Sequence, residues 1–150
     1  MSRHVAELDW RSDGAFTSGR YSRRHQIRFD GGAIVTGSAS PDVVPVPMSD
    51  PAGVDPEEAL VAAAAACHML WFLDLARQAG LVVDSYEDEA VAEMGRVGPG
   101  KVAITKITLR PRIAFAGAAP DRAALDRLHH EAHERCFIAN TLNCPIVIEG

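Results

Sequence analysis

The chain has 150 residues, 47% of them hydrophobic, with fifteen Lys plus Arg against twenty Asp plus Glu for a formal charge of −5. That is the size of one ordinary domain with apolar side chains enough for a core, so a single domain over residues 1–150 is expected. The acidic balance and the lack of any basic block exclude a nucleic-acid footprint at the level of composition.

The polar start, MSRHVAELDWRSDG, contains no apolar h-region, and a cytoplasmic protein is expected. Within it, His4 to Trp10 alternates with Ala6, Leu8 and Trp10 on one side and reads as a half-buried first strand. Ile27 and Phe29 continue the alternation, and Gly31 with Gly32 turns the chain back, which predicts a hairpin from about Tyr21 to Ser40. Five prolines between Pro41 and Pro56 predict an extended surface connection.

That connection ends on the strongest helix-entry signal in the chain. Asp55 is placed to cap, Pro56 suits the first helical position, and Glu58 is placed to close a capping box. From Ala59 to Leu73 every helical face is apolar except at His68, so the segment reads as a helix enclosed by protein and ending near Gly80. Its apolar run falls short of the roughly 20 positions of a spanning helix, which makes it a core helix and not a membrane anchor. Two strands follow, Leu81 to Met94 and Lys101 to Phe115, joined through Gly98, Pro99 and Gly100, with Pro111 marking an edge or bend.

Pro120 and Asp121 open a second helix, on which Ala124, Leu125, Leu128, Ala132 and Cys136 keep helical spacing. A turn, FIANTLN, and a last strand, CPIVIE, complete the order. Strands, long helix, strands, helix, strand is an α+β pattern built on antiparallel hairpins. A helix apolar all round needs cover on every side, more than one sheet and one further helix supply, so an intimate homodimer is expected.

Three widely spaced cysteines give neither a disulfide framework nor a CxxC pair. Cys67, in the long helix, is either a small buried hydrophobe or a shielded nucleophile. Apolar burial raises a thiol pKa, so a nucleophilic Cys67 needs a cation beside it, and an arginine stays charged when desolvated. The segment GRYSRRHQIR offers Arg20, Arg23, Arg24 and Arg28. His129 and His133, four apart on one helical face, raise a metal-binding alternative, though HxxxH alone is a weak signal. An apolar ligand pocket at Met69, Trp71 and Phe72 is a third reading.

The pattern DPEE, an alanine-rich stretch and then Cys67, with Cys136 some seventy positions later, resembles the OsmC/Ohr family of thiol peroxidases over nearly the whole chain. The resemblance implies an OsmC-like fold with antiparallel sheets around a long buried helix, an intertwined homodimer, and a cofactor-free reaction. Two cysteines would reduce an organic hydroperoxide, and hydrogen peroxide less efficiently, and the resulting disulfide would be reopened by a lipoyl-type or other thiol. Cys67 would be the nucleophile and Cys136 the resolving thiol, with Cys144 as the alternative. Arg23 would activate the thiolate, ahead of Arg20 and Arg24, and Glu57 would orient that arginine. Glu57 lies ten residues before Cys67, roughly 15 Å of helical rise, so an arginine must bridge the gap or a partner subunit must close it. The family pattern has proline directly after the second cysteine, where this chain has Phe137.

Overall fold

The computed structural model describes residues 1–150. The elements are β1 (Ala6–Asp9), β2 (His25–Phe29), β3 (Ile34–Gly37), α1 (Pro56–Gln78), β4 (Val83–Asp88), β5 (Val91–Gly98), β6 (Lys101–Leu109), β7 (Pro111–Phe115), α2 (Arg122–Arg135) and β8 (Ile146–Ile148). The chain divides into two units, Met1–Ala59 and Leu60–Gly150, and each is described by itself.

In the first unit β1, β2 and β3 form an antiparallel sheet, with Leu8 opposite Ile27 and Ile27 opposite Val35. Gly32, at φ +93°, takes the left-handed position of the β2–β3 turn, which a side chain would strain. The expected half-burial of β1 does not occur: all four of its residues are exposed within the chain. Residues 41–56 are not simply extended. Turn hydrogen bonds such as Met48 N–H to Pro45 O and Gly53 N–H to Asp50 O fold them back, and Gly37 bridges Val54.

The helix entry is as the sequence predicts. Asp55 Oδ1 accepts the Glu58 N–H at 2.7 Å while Glu58 Oε2 accepts the Asp55 N–H at 3.1 Å, a reciprocal capping box. Asp55→Ala is expected to lower stability by about 1 kcal/mol in urea unfolding, and an unchanged midpoint would show that the box contributes nothing. At the far end Gly80 sits at φ +78°, with Gly80 N–H bonded to Arg77 O and Leu81 N–H to Ala76 O, closing the helix as a Schellman motif.

In the second unit, the chain's own cover on α1 is a single stripe, Ala64, His68, Phe72, Leu75 and Ala76. The opposite face, including Leu70, is left uncovered by the chain itself, as expected for one sheet and one further helix. α1 ends near Gly80 as expected, and by length and composition alone its 23 residues are enough to cross a membrane, a test that a core helix also passes. Phe72, Leu75 and Ala76 pack with Ala132 of α2 and with Tyr86 and Ile113, while Ala64 packs with Ile107 and Leu109 of β6.

Each of the two long predicted strands is broken. β4 pairs with β7, and β5, β6 and β8 make a separate sheet in which β6–β8 is parallel. The break lies at Arg110, whose N–H donates to Asp88 Oδ1 at 2.7 Å instead of to a ladder, and at Pro111, which has no N–H to donate. α2 starts where expected, with Asp121 Oδ1 accepting the Ala124 N–H at 2.7 Å.

Candidate active site

Cys67 is half-buried on α1 and Cys136 caps the C-terminus of α2, with 1% of its surface exposed. Phe72, Leu75 and Ala76 of α1 pack with Ala132 of α2, and Cys67 is near enough to the Cys136 thiol to raise its pKa. Both are free thiols. Burial pushes the Cys136 pKa up; the Ala139 N–H, 3.4 Å from Sγ, pulls the other way, and the neighbouring Cys67 adds to the rise. Cys136 is thus held as a protonated thiol against a second sulfur. Cys144, half-buried, packs against the apolar cluster of Ala64, Ile107 and Leu109.

The residues just before β2 are fixed by their own loop. The Arg23 guanidinium donates to Gly19 O at 3.0 Å and Tyr21 O at 2.5 Å and lies 3.6 Å over the Tyr21 ring. These bonds use two of its five N–H donors and leave the rest of the fork free. Arg24 pairs with Asp50 at 3.0 Å and Arg28 with Glu7 at 3.4 Å. Glu57 is half-buried in the first turn of α1, where its charge favours the helix N-terminus; it makes no ion pair with Arg23 within the chain.

His68 is the one polar residue in the apolar run of α1, and His129 is one of the pair weighed as metal ligands. The structure joins them. His68 Nε2 and His129 Nδ1 are 3.0 Å apart and the rings stack at 9°, buried between α1 and α2, with His68 directly following Cys67. Burial lowers the His68 pKa to about 4, with His129 and His133 adding to the fall. His129 is also lowered by burial; Asp126 opposes this and Arg122 reinforces it. No group of three or more His, Cys, Asp or Glu side chains converges as a metal cage. Phe72 belongs to the core instead of lining a ligand pocket, whereas Trp71 meets Phe137 edge-on at 5.6 Å. The signal for this grouping was present in the spacing: Cys67 and His68 are adjacent on one helix, and His129 and Cys136 are seven apart on the other.

The profile of the OsmC-like protein family matches residues 49–149. The chain belongs to the OsmC-like family. Among OsmC-like proteins it is 30% identical over 97 residues to the peroxiredoxin OsmC of Escherichia coli K12, spanning 65% of this chain and 66%, just under two thirds, of that relative. An OsmC-like protein of unknown function from Vibrio cholerae is 48% identical, with a TM-score of 0.96 over 99% of both chains. An organic hydroperoxide resistance protein OsmC from Legionella pneumophila shares the OsmC-like fold at 15% identity, with a TM-score of 0.70 over 99% of this chain and 95% of that one.

Proposed function

We propose that the protein is a cytoplasmic, cofactor-free thiol peroxidase that reduces organic hydroperoxides through Cys67 and Cys136. The observation that carries this reading is the pair of free thiols, half-buried Cys67 and buried Cys136, close enough that Cys67 raises the Cys136 pKa. The Cys67 thiolate attacks the distal oxygen of ROOH; the O–O bond breaks, an S–O bond forms, and the alkoxide takes a proton to leave as ROH. Cys136 then attacks the Cys67 sulfenic acid. The S–S bond forms, the S–O bond breaks, and the hydroxide leaves as water with the Cys136 proton. Two electrons have passed from the thiols to the peroxide, and an external dithiol, of lipoyl type or another thiol, restores both thiols by exchange.

Arg23 is the thiolate's activating cation in this reading and Glu57 its orienting carboxylate, and both act in an intertwined homodimer that functions as one OsmC-like domain per chain. Support comes from the free donors of the Arg23 fork, the unpaired Glu57, and the uncovered apolar face of α1 around Leu70. A monomer in sedimentation at micromolar concentration would remove the dimer. The decisive experiment is intact mass and peptide mapping after one equivalent of cumene hydroperoxide. A mass lower by two hydrogens with a Cys67–Cys136 link is expected. A Cys67–Cys144 link would change the resolver, and no reaction at Cys67 would end the peroxidase reading.

A further inference from the structure

The chemistry above leaves the environment beside the sulfurs unused. Trp71 follows Cys67 by four residues and so lies one turn along the same face of α1, and Phe137 directly follows Cys136. The two rings meet in a T-shaped contact at 5.6 Å, yet Phe137 keeps 69% of its surface exposed. An apolar ring that the chain itself leaves uncovered, directly after Cys136, can take a third ring, because edge-to-face and offset contacts extend readily to a cluster. The cation nearby does not favour an anionic ligand. Arg135 lies 5.7 Å from the Trp71 ring, but its charge is matched by Glu131 at 2.5 Å.

We infer that Trp71 and Phe137 form the specificity wall of the dithiol site and select neutral hydroperoxides that carry an aromatic ring on the peroxide-bearing carbon. This rests on the peroxidase reading and narrows its substrate class. One helical turn, roughly 5.4 Å, separates Cys67 from Trp71 along the axis. In an aryl-alkyl hydroperoxide the distal oxygen and the ring centre are about 5 Å apart by ordinary bond lengths, so the ring reaches the wall while the oxygen meets the sulfur.

The test compares kcat/KM for cumene hydroperoxide with that for tert-butyl hydroperoxide, which lacks the ring, in wild type, Phe137→Ala and Phe137→Tyr. Phe137→Ala is expected to lower the cumene to tert-butyl ratio about tenfold, chiefly through KM, and Phe137→Tyr to restore it. A ratio unchanged in Phe137→Ala, with both peroxides turned over, overturns the wall and leaves the exposed ring to a second copy of the chain. A wild-type protein inactive on both peroxides overturns the peroxidase reading and the wall together.

Discussion

Cys67→Ser is expected to abolish peroxide consumption, a fall on the order of 10³-fold or more, because no other side chain in the site supplies a sulfur nucleophile with a resolving thiol in reach. Cys136→Ser is expected to behave differently. It still forms the sulfenic acid on Cys67 and consumes one equivalent, but with no thiol to condense, further peroxide drives Cys67 to the sulfinic acid. The check is peroxide consumed per protein under excess substrate, with mass spectrometry of the Cys67 peptide. Equal multiple-turnover rates in wild type and Cys136→Ser would take Cys136 out of the mechanism. Cys144→Ser should leave turnover intact if Cys136 is the resolver; a loss of turnover equal to that of Cys136→Ser would move that role to Cys144, which packs on the Ala64, Ile107 and Leu109 cluster.

The second large effect is on stability below neutral pH. His68 titrates near 6.5 when unfolded and at about 4 in the folded chain, so between those values the unfolded chain binds more protons. The stability from the buried neutral ring is therefore fully present above about pH 6.5, drains as the pH falls, and is gone near pH 4. For a ring 1% exposed this amounts to on the order of 3 kcal/mol, and His129, lowered in the same direction, adds to it. The groups facing the pair are His133, Asp126 and Arg122, all on α2. Urea unfolding of wild type and of His68→Leu/His129→Leu at pH 7.5 and 4.5, at one protomer concentration, provides the comparison. Wild type should lose several kcal/mol more than the double variant. Equal losses would place the acid sensitivity elsewhere.

What the sequence revealed follows from the range of the forces involved. The α1 capping box, the Gly80 stop and the Asp121 cap are set by residues within a few positions of one another, and all three are legible in the chain. The bend between β6 and β7 is marked by Pro111, but its partner is not legible, because the Arg110 N–H goes to a carboxylate twenty-two residues away, Asp88. The His68–His129 bond joins residues sixty-one apart, and nothing local to either imidazole distinguishes it from ordinary packing. The exposure of β1 is hidden for another reason: periodicity says which residues are apolar, not which chain covers them. Cys136 was placed by its position at the end of a helical pattern, and its contact with Cys67 follows once the two helices pack.

Cys136 ends one structural element and begins another. Its backbone closes α2 through the bond from its N–H to His133 O, and its sulfur accepts the Ala139 N–H while its carbonyl accepts the Asn140 N–H, holding the turn that carries Phe137. A sulfur drawn into a disulfide is a weaker acceptor and points along a fixed dihedral. In the proposed cycle, drawing the Cys136 sulfur into a disulfide would therefore weaken the Ala139 contact that helps hold this turn.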